Sequence, residues 1–331
     1  MEAAPSNNEV VYEFPPFLRL YKDGRQERIF VAKLVPPSIE DPKTGVSSKD
    51  VVIVRETGVS SRLYLPKITH HSQPPHQKNK KKKKKLPLLI YFHGGAFCIE
   101  SAFSPFYHNY ITSLVAEANV VAVSVDYRLV PDHHLPVAYD DSWASLQWVV
   151  SHSSGQGPES WLNDHADFDR VFLAGDSAGA NISHNMAMRI AVQPSCGLKL
   201  LGVVLVHPYF WDLEPIGSEA KEMDKKERMD KLWSIIYPSS TGYDDPFINP
   251  MNDPKLSSLG CDWMLVCVAE KDIFRDRGWL YYETLGKSGW GGVVEIMESK
   301  GEDHVFHLFN PSSEKAPELM KRVVSFLNQD K

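Results

Sequence analysis

Val171-Phe172-Leu173-Ala174-Gly175-Asp176-Ser177-Ala178-Gly179-Ala180-Asn181 decides the fold, because an apolar run meets Gly-x-Ser-x-Gly here and passes directly into a helix-like segment. Strand, sharp turn and helix in that order make a nucleophile elbow: the glycines let the backbone reverse, and the serine hydroxyl is left exposed at the strand's end. Five residues alone recur by chance. Upstream, however, the apolar stretch 86–92 runs into His93-Gly94-Gly95-Ala96-Phe97, a loop suited to presenting backbone N–H groups to the oxyanion of an acyl-transfer intermediate. Gly94 and Gly95 are expected to supply two donors. Ala178, opening the helix after the serine, is expected to supply a third with help from the helix dipole.

Working outward, the apolar runs 86–92, 120–125, 171–174, 201–206, 264–268 and 293–297 read as strands. Helical patterns lie between and after them at 105–118, 137–152, 178–192, 276–287 and 314–328. The alternation predicts an α/β fold, a mostly parallel central sheet flanked by helices, with chemistry at the carboxyl ends of the strands. Two stretches interrupt it. Residues 1–40 carry an aromatic cluster too short for a core of its own and are expected to form an N-terminal lid. Residues 211–250, rich in charge and in Trp, Tyr and Ile, are expected to form a cap insertion. Residues 70–85 contain Lys78 and the run Lys80 to Lys85, which reads as a solvated surface loop kept extended by like-charge repulsion.

A serine hydroxyl is a weak nucleophile until a histidine accepts its proton, and that imidazole needs a carboxylate to fix its tautomer. The order serine, acid, histidine is expected on this fold. Of the histidines, His304 and His307 come late enough, and His304 is favoured because it follows the last strand in a polar turn, whereas His307 sits in an apolar run. Asp272, in the loop after the strand at 264–268, is the favoured acid; Asp276 reads as a helix-capping residue and Glu270 as facing away. Arg128 is expected to pair with Asp126 or Asp140 and hold its loop.

With 331 residues, 43% of them hydrophobic and 24% charged, the chain is long enough for one large α/β domain. A net charge of −6 argues against nucleic-acid binding. The start, Met1-Glu2-Ala3-Ala4-Pro5, lacks a signal-peptide pattern, and no run approaches the ~18 apolar residues of a membrane span, so a cytoplasmic protein is expected. Cys98, Cys196, Cys261 and Cys267 have no metal or disulfide spacing and read as reduced thiols, Cys98 being notable for its place beside the glycine loop. No phosphate loop or metal cluster is present in the spacing, so neither cofactor nor metal is expected. Phe14, Phe17, Tyr127, Phe210 and Trp211 are the candidate substrate-binding residues, suggesting a small aromatic or short-acyl ester as the partner of a monomer or weak dimer.

Taken together, Phe17-Leu18-Arg19-Leu20-Tyr21-Lys22-Asp23-Gly24-Arg25, His93-Gly94-Gly95, Asp126-Tyr127-Arg128-Leu129, Gly175-Asp176-Ser177-Ala178-Gly179, Ala269-Glu270-Lys271-Asp272, Arg275-Asp276-Arg277-Gly278 and His304-Val305-Phe306 closely resemble plant carboxylesterases. These form part of the hormone-sensitive-lipase-like branch of the α/β-hydrolases. The resemblance covers nearly the whole chain and implies a triad of Ser177, His304 and Asp272, an oxyanion hole from Gly94, Gly95 and Ala178, and an N-terminal lid. Ala96 and Ala180 depart from the glycines usual in that group. Its 2-hydroxyisoflavanone dehydratases eliminate water from a flavonoid, often with threonine at the nucleophile position, so a dehydratase is the alternative that the resemblance implies. Its gibberellin receptors have lost the catalytic histidine, which His304 here retains.

Overall fold

The computed structural model describes residues 9–68 and 85–329; the lysine run, apart from Lys85, lies outside the described residues. A small antiparallel sheet comes first, made of β1 (Val10–Phe14), β2 (Leu18–Tyr21) and β3 (Gln26–Arg28). Next come β4 (Ser47–Val54) and β5 (Val59–Leu65), then β6 (Leu86–Phe92), α1 (Pro105–Ala118), β7 (Val121–Asp126), α2 (Val137–Val150) and α3 (Ser160–His165). The chain continues through β8 (Ala166–Asp176), α4 (Ala178–Val192), β9 (Leu200–Val206), α5 (Met223–Ile236) and β10 (Cys261–Ala269). It ends with α6 (Arg275–Lys287), β11 (Val293–Ser299), the short turn α7 (Phe306–Phe309) and α8 (Lys315–Leu327).

The main sheet has the order β11-β10-β9-β8-β6-β7-β5-β4, with β6 to β11 parallel and β5 and β4 added antiparallel at one edge. Its central strands are buried on both faces, which explains their continuous apolar runs. After β6 the chain moves to β7 on one side and then to β8 on the other. The carboxyl ends of β6 and β8, where Phe92 pairs with Gly175, therefore form the switch point at which a crevice opens.

Helix ends follow from local sequence. Pro105 at the first position of α1 needs no hydrogen-bonded N–H, and Asn119 ends that helix in the left-handed region at φ 54°. β4 and β5 lie outside the expected strands: the apolar run of β4 is only four residues long, at 51–54, and β5 carries polar residues and a buried arginine. Arg62, 1% exposed, makes a bidentate ion pair with Asp50 at 2.7 and 2.9 Å and donates to the Val35 carbonyl.

Within residues 211–250, α5 carries the insertion, and buried charges fix it to the body. Arg277 on α6 meets Glu219 in a fork of two 2.7 Å hydrogen bonds, both side chains 2% exposed or less. Lys226, also buried, donates to the carbonyls of Asp212 and Leu213 and to Asp230. Removing one member of such a pair leaves an uncompensated buried charge. Glu219→Ala should therefore lower the unfolding free energy by about 3–5 kcal/mol in a urea titration, and a loss below about 1 kcal/mol would mean that the pair behaves as an exposed one.

Candidate active site

β8 ends at Asp176 and α4 begins at Ala178, which leaves Ser177 alone to turn the chain. Its φ of 53° and ψ of −117° lie in a region that non-glycine residues avoid. Glycine is required on both sides. A Cβ at Gly175 would lie 2.3 Å from the Gly179 backbone, and one at Gly179 would lie 2.0 Å from the Phe92 carbonyl oxygen, so α4 packs directly on the end of β6. Ser177 N–H donates to the Val206 carbonyl on β9 at 2.9 Å, and the hydroxyl faces the crevice.

His304 is delivered by the turn after β11 and Asp272 by the turn after β10. Ser177 Oγ lies 2.9 Å from His304 Nε2, and His304 Nδ1 lies 2.7 Å from Asp272 Oδ2. Asp272 is buried, and its other oxygen accepts from Phe274 N–H at 3.0 Å. Partial burial lowers the His304 pKa, but the charge and hydrogen bond of Asp272, joined by Asp176 and Asp303, raise it above its ordinary 6.5. The alternatives lie elsewhere. Asp276 accepts from the backbone and hydroxyl of Ser218, Glu270 accepts from Gly301 N–H, and His307 is buried against Tyr110.

The glycine loop departs from the sequence expectation at Gly94. Its N–H donates at 2.7 Å to the Tyr107 hydroxyl, which in turn donates to Asp176 Oδ2 at 2.8 Å, so Gly94 is already committed. Gly95, Ala96 and Ala178 border the elbow, and their N–H groups have no hydrogen-bond acceptor among the described residues. Ala96 takes φ 53° and Gly95 φ 105°, both in the region of positive φ. Ala96 rather than Gly94 is thus the second uncommitted amide of the glycine loop.

A cavity of about 300 Å³ opens above Ser177, walled by Pro16, Phe17, Ile99, Phe106, Leu308 and Phe309. Of the five residues expected to bind substrate, Phe17 lines it and the other four do not. Phe14 is buried in the N-terminal hairpin and faces α5. Tyr127 stacks on the His93 ring at 4.3 Å and donates to the His93 carbonyl, supporting the glycine loop from behind. Phe210 packs against His184 and Tyr281, and Trp211 donates its indole N–H to Asp230. Both are fully buried because the chain leaving β9 runs through the core as it enters residues 211–250. Arg128 pairs with Asp141 through three hydrogen bonds of 2.7 to 3.0 Å rather than with Asp126 or Asp140.

Sequence reasoning missed three supporting residues. Tyr91 and Tyr107 donate at 2.8 Å to the two oxygens of Asp176, whose pKa burial pushes up to about 6 against those hydrogen bonds. His207 Nδ1 accepts from Val305 N–H at 2.8 Å and so holds the His304 turn. Its position directly after β9 was the available signal. Donor atoms of His207, Asp272 and His304 lie within 4.8 Å of one another, the one such trio among the described residues. Because His304 Nδ1 is bonded to Asp272 and His207 Nδ1 to Val305, a metal ion here would compete with existing hydrogen bonds. Burial raises the Cys98 thiol pKa far above its ordinary value, which leaves that thiol inert despite its location.

A family model described as alpha/beta hydrolase fold matches residues 89–308, which include the elbow, the acid turn and His304. The chain belongs to the alpha/beta hydrolases. Among similar members, "Probable carboxylesterase 7" of Arabidopsis thaliana is 47% identical over 97% of this chain and 99% of its own. The 2-hydroxyisoflavanone dehydratase of Glycine max is 45% identical over 96% and 99%. The solved carboxylesterase EstE1, cloned from a metagenomic library, is 26% identical with a TM-score of 0.69 over 85% of this chain and 88% of that one. Among the described residues of this hydrolase, no helix is long and apolar enough to cross a membrane.

Within the hydrolase, Tyr107 joins the glycine loop to the elbow. Tyr107→Phe deprives both Gly94 N–H and Asp176 of a buried partner, and the unfolding free energy should fall by about 1–3 kcal/mol in a denaturant titration. Equal stability of the variant and the parent would mean that another group satisfies both.

Proposed function

We propose that this hydrolase is a serine carboxylesterase acting on small esters through an acyl-enzyme on Ser177. The observation that carries the reading is the unbroken line from Ser177 Oγ through His304 to buried Asp272, at 2.9 and 2.7 Å. His304 takes the serine proton as Oγ attacks the ester carbonyl, and the imidazolium is stabilised by Asp272. Gly95, Ala96 and Ala178 receive the oxyanion. His304 then protonates the leaving alcohol, and water repeats the sequence to release the acid and regenerate Ser177.

The cavity suits a short or aromatic group better than a long chain, since about 300 Å³ is closed on several sides by Phe17, Phe106 and Phe309. The N-terminal hairpin and the 211–250 insertion act in this reading as one lid and cap, because Phe14 and Phe17 border a hollow against Met229 and Leu232 of α5. A cytosolic enzyme without a cofactor, a monomer or weak dimer, completes the proposal, and four free cysteines agree with a reducing compartment.

A second reading is favoured by relatives named 2-hydroxyisoflavanone dehydratase, which are 44% and 45% identical to this chain. The two readings differ at the serine. Ser177→Ala should abolish burst release of p-nitrophenol from a short-chain ester and lower turnover by about 10⁴-fold or more. Loss of less than about 10-fold, or dehydration of a hydroxyisoflavanone without ester turnover, would favour the dehydratase.

The pH profile tests His304. Its raised pKa means that the imidazole is protonated, and unable to act as base, up to a pH above 6.5. A plot of kcat/KM should therefore rise with pH on an acid limb centred above 6.5. A limb centred in the ordinary carboxylate range would assign the base to another group.

A further inference from the structure

Arg28, the last residue of β3, reaches from the N-terminal hairpin to the far side of the glycine loop. Its Nε donates to the Cys98 carbonyl at 2.5 Å, and one Nη donates to the Val130 carbonyl at 2.8 Å and to Asp132 at 2.9 Å. The Asp132 side chain is 66% exposed, so that ion pair contributes little. The two carbonyl contacts are what the guanidinium fork is committed to, and neither belongs to the hairpin that carries it.

Beyond Cys98 the hydrogen bonds run on from one peptide unit to the next. The Cys98 carbonyl shares its peptide with Ile99 N–H, which donates to the Gly95 carbonyl at 3.0 Å. The Gly95 carbonyl shares its own peptide with Ala96 N–H, the uncommitted amide beside Ser177. A second branch joins at the same acceptor: Val130 N–H donates to the Phe97 carbonyl at 2.9 Å, and Cys98 N–H, of that peptide, donates to the Gly95 carbonyl at 2.9 Å. The carbonyl and N–H of a trans peptide point opposite ways, so the two donors that hold the Gly95 carbonyl inside the turn direct Ala96 N–H out of it. Ala96 and Phe97 have positive φ, and such a loop persists only where its neighbours fix it. Each bond in a hydrogen-bonded chain polarises the next, so a cation on the Cys98 carbonyl makes Ala96 N–H a stronger donor.

We propose that Arg28 is a positioning residue for the oxyanion: it aligns and polarises the two-peptide relay that ends at Ala96 N–H. This role rests on the esterase reading, in which Ala96 receives the oxyanion. Arg28 is not among the residues lining the cavity at Ser177 and acts through the backbone alone. An oxyanion carries more charge than the ester carbonyl from which it forms, so the relay stabilises the transition state more than the bound ester. The next residue, Ile29, donates its N–H to the Phe17 carbonyl at 2.9 Å, and Phe17 lines the cavity. The hairpin that walls the substrate thus also sets the strength of the donor that the reaction uses.

Arg28→Met removes the charge and both carbonyl contacts but keeps an unbranched side chain. Its kcat/KM on p-nitrophenyl acetate should fall about 10-fold, less than the roughly 10²–10³ lost with an oxyanion donor itself. Two inhibitors separate positioning from general structure. Phenethyl trifluoromethyl ketone accepts Ser177 Oγ at its carbonyl and becomes a hemiketal oxyanion, the serine proton passing to His304, whereas phenethyl methyl ketone binds as the neutral ketone. In Arg28→Met the Ki of the trifluoromethyl ketone should rise about 10-fold and that of the methyl ketone stay within about 2-fold. Asp132→Asn, which leaves the carbonyl contacts in place, should keep both within about 2-fold of the wild type. A cooperative urea transition reports folding separately. If Arg28→Met does not fold, Arg28→Lys decides: it keeps a charge without the fork and should raise the ratio of the trifluoromethyl to the methyl ketone Ki about 3-fold, and an unchanged ratio overturns the proposal. It is also overturned if Arg28→Met stays within about 2-fold of the wild type in kcat/KM, or if both ketones weaken by the same factor. A wild type that turns over no ester and binds the two ketones alike would instead count against the esterase reading itself.

Discussion

The turn at Ser177 is the constraint around which the rest of the molecule is arranged. A serine at φ 53° and ψ −117° costs on the order of 1–3 kcal/mol, and it persists only where its surroundings leave no alternative. Here β8 is clamped between β6 and β9, Ser177 N–H is held by Val206, and the Ser177 carbonyl accepts from Tyr209 and Asn181. The missing side chains of Gly175 and Gly179 let α4 start against the Phe92 carbonyl. The strain thus sits on a parallel sheet buried on both faces, the stiffest part of the fold, and the hydroxyl is positioned by backbone rather than by a mobile side chain.

Behind that turn, burial sorts the ionisable groups by role. His207 and His307 lie close to His304, with ring centres of the neighbouring pairs under 6 Å apart, yet burial lowers both well below an ordinary imidazole, His307 to about 3. His304 alone of the three is raised, because it alone is hydrogen-bonded to a carboxylate. Neutral His207 can accept from Val305 N–H and so steady the turn that carries the base. One imidazole is prepared to take a proton, and its neighbours are kept from competing.

The sequence made these central features legible because periodicity and chemistry coincide there. Continuous apolar runs marked the doubly buried strands, and the residues that turn at their carboxyl ends were the Ser, Asp and His that the structure brings within hydrogen-bonding distance. β5 was not legible, since it hides its burial behind Arg62, whose charge is neutralised by Asp50 twelve residues away. Nor could aromatic content rank the pocket. Phe210 and Trp211 look identical in sequence to Phe17, but the path of the chain after β9 sends them into the core, while Phe106 and Phe309 reach the cavity from α1 and α7. Gly94 failed for a related reason. Which amide of a glycine loop stays free depends on a tyrosine thirteen residues on, and spacing along the chain contains no record of that bond.

The position of the cap follows from the same economy of parts. α6 begins three residues after Asp272: Phe274 N–H donates to the Asp272 carboxylate, and Arg275 N–H donates to its carbonyl. One turn further on, Asp276 accepts from Ser218 and Arg277 donates to Glu219, both residues of 211–250. The insertion then supports α5, on which the N-terminal hairpin rests through Phe14 and Phe17. A single helix therefore holds Asp272 just ahead of its start and residues 211–250 at its first turn. A displacement of residues 211–250 therefore acts on α6, and α6 is hydrogen-bonded to Asp272 through Phe274 and Arg275. Because the link includes the buried Arg277–Glu219 pair, residues 211–250 and the loop that carries Asp272 are registered to each other through one helix.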